Sequence, residues 1–171
     1  MKTMNLKKAL FAFALTAFVG FAAIAQEKAS PAKKAEGTVA GAKITINYSS
    51  PAVKGRTIWG DLVPMGQVWR AGADDATTFT TSKDVTIQGQ KLAAGTYSFF
   101  IIPGETQSTM IFNKVAKQWG SYTYDAKEDA LRVSVPSQQT STMEERLVYE
   151  VKPDGFEIRW EYGKAAAKIG A

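Results

Sequence analysis

Two alternating runs meet at a turn near the end of this chain, and they constrain its fold more than any other feature. Leu147, Tyr149 and Val151 share one parity before Lys152-Pro153-Asp154-Gly155. Phe156, Ile158, Trp160 and Tyr162 share one parity after it, with Glu157, Arg159 and Glu161 between them. A strand puts every second side chain on one side, whereas a helix scatters such a set around its axis. Lys-Pro-Asp-Gly is turn chemistry, so the segment predicts a β-hairpin. A loop of all four residues sets Val151 opposite Phe156, Tyr149 opposite Ile158 and Leu147 opposite Trp160. A loop one residue shorter mixes the two faces, and register follows the buried face.

The same period recurs upstream. Ile44, Ile46 and Tyr48 alternate with Thr45 and Asn47, and Phe79 sits in a Thr-rich run that β-branching favours as strand. Val85 and Ile87 lead through Gln88-Gly89-Gln90 to Leu92. Residues 96–102 are nearly all apolar or aromatic, which predicts a central strand covered on both faces. Residues 109–113 and 131–135 add two more strands. Helix is confined to a short piece near 113–119 or 125–131. The fold class expected is therefore all-β: a single antiparallel β-sandwich or jelly-roll-like domain.

The chain opens with an address. Lys2, Lys7 and Lys8 precede an uncharged stretch over residues 9–25 that ends Ala23-Ile24-Ala25. This predicts a cleaved secretory signal peptide over 1–25, and hence a periplasmic or extracellular protein with no membrane span in the mature chain. The stretch is slightly short for an anchor. Residues 26–37, rich in Ala, Lys and Ser, read as a flexible linker, residues 38–163 as the β domain and 164–171 as a small-residue tail. The full chain carries 21 Lys and Arg against 16 Asp and Glu. Loss of the three signal lysines lowers 21 to 18, so the mature balance is +2. The bases are scattered rather than gathered on one face, which argues against nucleic acid as a partner.

The chain has no His and no Cys. That removes Ser-His and Cys-His catalysis, imidazole and thiolate metal sites, disulfides and Fe–S clusters. No phosphate-binding glycine loop and no nucleophile elbow is present. The reading assigns no cofactor, no metal site and no catalytic residue.

One segment departs from the scaffold pattern. Residues 48–77 read YSSPAVKGRTIWGDLVPMGQVWRAGADDAT, dense in Gly, Pro, Trp, Arg and Asp. Irregular segments on β scaffolds commonly carry binding or chemistry. Trp59 and Trp69 suit stacking on a sugar or aromatic ring. Arg56 and Arg70 suit bidentate contacts to carboxylate or phosphate, with Lys54 beside them. Asp74 and Asp75 can accept hydroxyl hydrogen bonds. Each has a structural reading as well. The tryptophans can be core, the arginines can tie the loop to backbone carbonyls, Lys54-Gly55 can be a turn, and Asp74-Asp75 can cap one. As neighbours on an extended chain, the two aspartates also face opposite ways.

The motifs of this segment carry a resemblance. Tyr48-Ser49-Ser50-Pro51, Lys54-Gly55-Arg56, Ile58-Trp59-Gly60, Leu62-Val63-Pro64 and the run Val68-Trp69-Arg70-Ala71-Gly72-Ala73 resemble the signature of domain-of-unknown-function family 2911, a bacterial family of secreted proteins. The resemblance continues through Gly95-Thr96-Tyr97, Ile102-Pro103-Gly104, Phe112-Asn113-Lys114, Trp119-Gly120 and Glu145-Arg146-Leu147. It implies a secreted β-rich domain and supplies no activity or catalytic residue. Where the family pattern commonly has an Asn-Glu pair, this chain has Asp74-Asp75.

Three functions follow as expectations. The first is a non-enzymatic binding module for a small polar or saccharide-like ligand, held by Lys54, Arg56, Trp59, Trp69, Arg70, Asp74 and Asp75. The second is an envelope structural or assembly protein that docks a partner through its aromatic hairpin. The third is a hydrolase using two carboxylates from Asp61, Asp74, Asp75 and Glu105, a mechanism that needs no His.

Overall fold

The computed structural model describes residues 28–171. The expected signal peptide, 1–25, lies outside the described residues. Ten strands follow in order: β1 (Ala32–Val39), β2 (Ala42–Ser49), β3 (Thr77–Thr81), β4 (Val85–Ile87), β5 (Gln90–Leu92), β6 (Gly95–Ile102), β7 (Gln107–Asn113), β8 (Asp129–Pro136), β9 (Gln138–Lys152) and β10 (Gly155–Gly170). Six make one antiparallel sheet in the order β1-β2-β3-β6-β7-β8, and four make a second in the order β5-β4-β10-β9. Their inner faces form one shared core, so the domain is the all-β sandwich that the alternation predicts. Among the described residues, the helical content is a single 3-10 turn, Ala126–Glu128.

Local sequence explains the strands. β2 buries Ala42, Ile44, Ile46 and Tyr48 and turns the residues between them outward, and β8 does the same with Leu131, Val133 and Val135. Ala40-Gly41 and Gln88-Gly89 close the β1–β2 and β4–β5 hairpins with φ positive at both residues, the backbone that a two-residue hairpin turn requires. β6 lies between β3 and β7 and is buried on both faces. Its inner face packs in the main core. Its outer face gives Phe100 to a smaller cluster with Ile111 and Ala76, against which Val68, Ile102 and Tyr124 pack.

Two expected boundaries move. Residues 32–37, read as linker, belong to β1, whose eight residues all pair with β2. An edge strand has one bonded neighbour and needs little apolar content, and lysines such as Lys33 and Lys34 suit an edge. Residues 164–170, read as tail, continue β10: Lys164 pairs with Gln138, and Ile169 with Ile87. Ala165, Ala167 and Ile169 are buried there.

The final hairpin has the predicted register at its tip, Phe156↔Val151 and Ile158↔Tyr149, but Gly155 also pairs with Lys152, leaving only Pro153-Asp154 unpaired. The expected Leu147–Trp160 pair is lost to a bulge after Arg159, and a second shift precedes Gly163. Their effect is a change of parity. Phe156, Ile158 and Trp160 point inward, and beyond the bulges it is Ala165, Ala167 and Ile169 that do. Tyr162, which unbroken alternation would bury, is 49% exposed.

Candidate functional site

The sandwich is not filled along its whole length. Where β6 ends and β7 begins, a cavity of about 370 Å³ opens, lined by residues of both sheets. Trp59 and Trp69 from the irregular segment and Trp160 from β10 line it, with Met65 and Ala165 adding apolar wall.

Backbone pairing places Trp69. Beyond the last β3–β6 pair, Thr77↔Phe99, Trp69 and Ile101 exchange two N–H···O bonds of 2.9 Å. Trp69 thus takes the next place along that edge of β6 and shares the inner side with Phe99 and Ile101. Its ring stacks on Trp160 at 5.9 Å and 16°. Trp59 stands edge-on to both, at 5.7 Å and 6.2 Å, and its Nε1 donates to the Trp160 carbonyl at 3.3 Å. Each such aromatic pair is worth about 0.5–1.5 kcal/mol beyond its buried area. The Trp160 Nε1 donor is buried without a partner among the described residues, an arrangement that costs about 1–3 kcal/mol.

Two small residues of β10 make the room. A Cβ at Gly163 would lie 2.6 Å from the Trp59 indole, so only glycine admits that ring. Ala165 lines the cavity with a methyl group where a larger side chain would fill it. On the opposite wall, the Ser137 hydroxyl donates to the Gly104 carbonyl at 2.7 Å and lies 2.8 Å from the Ser108 hydroxyl, which fixes the β6–β7 loop.

Glu105, Glu161 and Lys164 bring charge to the cavity. Lys164 is committed, with Nζ 3.0 Å from Glu157 Oε2 on the outer face of the small sheet. Arg159 and Lys152 join the same carboxylate. Burial pushes the Glu157 carboxyl up, but Lys164, Arg159 and Lys152 outweigh that and hold it below the usual carboxylate range. Glu161 has φ +53°, a left-handed backbone costly for a residue with a Cβ, and it sits between the two register shifts.

The structure divides the residues that the sequence singled out. Trp59 and Trp69 line the cavity; Lys54, Arg56, Arg70, Asp74 and Asp75 do not. Lys54-Gly55 forms a turn with both φ positive, and Lys54 N–H donates to Glu145 Oε1 at 3.0 Å. The Arg56 guanidinium donates to the carbonyls of Val53 and Ala52, at 3.1 Å and 2.5 Å, and ties its own loop. Arg70 follows Trp69 and is turned to the other side of the sheet, beside Gly120. Asp74, at φ +57°, accepts from Gly120 N–H through its carbonyl at 3.2 Å, and Asp75 bridges to Trp119. Asp75 also borders a more open depression beside Lys33, Lys34 and Asn47. Of the four acids considered for hydrolysis, Glu105 alone lines the cavity.

The hairpin residues Phe156, Ile158 and Trp160 are 1%, 4% and 1% exposed, so that face is spent in the core rather than offered to a partner. Exposed aromatic surface lies instead at Trp119 and Tyr122, on the 114–124 loop, and at Tyr162 beyond the first bulge of β10. Buried Gln118 holds this loop, its Nε2 donating to Ser98 Oγ, Asn113 Oδ1 and the Val115 carbonyl. Sequence reasoning missed Met65, Trp160, Glu161, Gly163 and Ala165 as cavity residues. The readable signal was the switch from even to odd apolar positions along 156–169.

Aromatic wall, carboxylates and side-chain amides equip the cavity to hold a small molecule with an apolar face and polar edges. Among the described residues, no cluster of three or more Asp or Glu is placed to hold a metal, and no helix is long and apolar enough to cross a membrane. The family model described as "Protein of unknown function (DUF2911)" matches residues 30–169, and the chain belongs to that family. No curated protein and no solved structure matches it.

Proposed function

We propose that this domain is a non-enzymatic binding module, exported from the cytoplasm, whose small polar or saccharide-like ligand occupies the cavity at the Trp59–Trp69–Trp160 cluster. The observation that carries the reading is the cavity itself: about 370 Å³ left open beside three mutually packed indoles. A core that served stability alone would close such a space, because each lost contact costs dispersion energy. The signal-like residues 1–25 support export.

The test is a panel of saccharides, amines and small acids screened by thermal shift against the parent and Ala165→Leu, which fills the cavity. A ligand at a hundred times its Kd adds about 2.7 kcal/mol to stability. The parent is expected to respond to at least one member and Ala165→Leu to none. Equal responses from both would place binding elsewhere and overturn the proposal. For export, the cell-fractionated protein is expected to begin at Gln26; a cytoplasmic chain retaining residues 1–25 would refute that part.

A further inference from the structure

The geometry points to an organic cation as the ligand: an ammonium group on a compact, CH-rich body. This rests on the binding reading above and narrows it. Glu157 and Arg159 lie on the outer face of the small sheet, in an ion network that shares Lys152, Arg159 and Lys164 among Glu144, Glu150 and Glu157. Strict alternation would put Glu161 on that same face. The bulges break that alternation at Glu161, which takes a left-handed φ of +53° and is among the residues lining the cavity. Strain of this kind persists where the surrounding structure enforces it and clusters at binding sites.

The charges at the cavity do not balance. Glu105 and Glu161 both line it, and neither has an ion-pair partner among the described residues. Lys164, the cation beside them, is held by Glu157. The mature chain carries a slight positive balance, 18 bases against 16 acids, so unpaired carboxylates at the cavity run against its average. Indole is the strongest of the side-chain π-systems for a cation, and three indoles form the wall. Carboxylates beside tryptophans favour an ammonium ion over a neutral ring of equal size.

The experiment titrates the protein with choline, with its uncharged isostere in which carbon replaces the nitrogen, with glucosamine and with glucose, following tryptophan fluorescence and thermal shift. Choline and glucosamine are expected to bind at least tenfold more tightly than their neutral counterparts. Glu161→Gln is expected to weaken choline at least tenfold, and Asp61→Asn, which removes an exposed carboxylate outside the cavity, to leave it unchanged. If glucose binds as well as glucosamine and Glu161→Gln has no effect, the cation inference fails while the binding module stands. If none of the four binds, the cation inference fails, and the wider panel against Ala165→Leu decides the binding module.

Discussion

Two regions of this sandwich are built from the same kind of contact and reach opposite results. At one, Phe79, Phe99, Phe112 and Phe156 meet with ring centroids 5.0–5.7 Å apart, and all four are fully buried. At the other, Trp59, Trp69 and Trp160 meet at 5.7–6.2 Å, and an open cavity lies beside them. Aromatic density is alike; the neighbours differ. Phe79 and Phe99 come from strands paired without a register shift, and Phe112 and Phe156 from the regular stretches of β7 and β10 that precede theirs. The tryptophans draw on an irregular segment and on β10 beside its bulges, where Gly163 and Ala165 replace bulk with space. Regular strands build the core, and the interruption of one strand builds the site.

The comparison can be broken most sharply in the phenylalanine region. Phe156→Ala is expected to lower stability by about 3–5 kcal/mol in denaturant unfolding, without changing ligand preference in protein that remains folded. A loss below about 1 kcal/mol would mean that this region is no better filled than the other. Gly163→Ala comes next. Its Cβ must displace the Trp59 ring, so a loss of about 1–3 kcal/mol and a shifted tryptophan emission are expected; unchanged emission would show that Trp59 does not rest on that glycine.

A third effect depends on pH. Burial holds the Tyr149 hydroxyl well above its usual value, against a hydrogen bond with Thr77 that lowers it. Burial and the Asp129 carboxylate push Tyr124 up to about 12. Groups raised in the fold contribute stability that is intact below the unfolded value near 10 and is lost as pH climbs through the folded one. Unfolding free energy should therefore decline between about pH 10 and 12, and Tyr149→Phe should flatten the decline. A profile flat to pH 12 in the parent would contradict this.

The smallest effect falls on the cavity. Ala165→Leu should move stability by no more than about 1 kcal/mol, since it exchanges void for contact, yet should abolish binding. A large loss of stability would mean that the space is already filled and that the two regions do not differ.

What the sequence disclosed follows the same division. β2 and the tip of the last hairpin were legible because alternation is a local property, and β6 because a run apolar at nearly every position marks a strand covered on both faces. β1 was not, because an edge strand rich in Ala and Lys looks like linker. The end of β10 was not, because Ala165 and Ala167 are too small to mark a face and the parity reverses before them. Trp59 and Trp69 were found through composition. Their charged neighbours were misplaced for a geometric reason: Trp69 enters the core by pairing with Ile101, and that pairing turns Arg70 outward. Composition groups residues along the chain, whereas an extended backbone sends neighbours to opposite sides.

The four tryptophans supply the most direct measurement. Three line the cavity, and Trp119, 61% exposed on the 114–124 loop, serves as an internal control. The indole N–H resonances of the ¹⁵N-labelled protein are to be followed during a choline titration. Saturable shifts of Trp59, Trp69 and Trp160, with Trp119 unmoved, are the result expected if the cavity is the site. Movement of Trp119 alone, or of none, would contradict it.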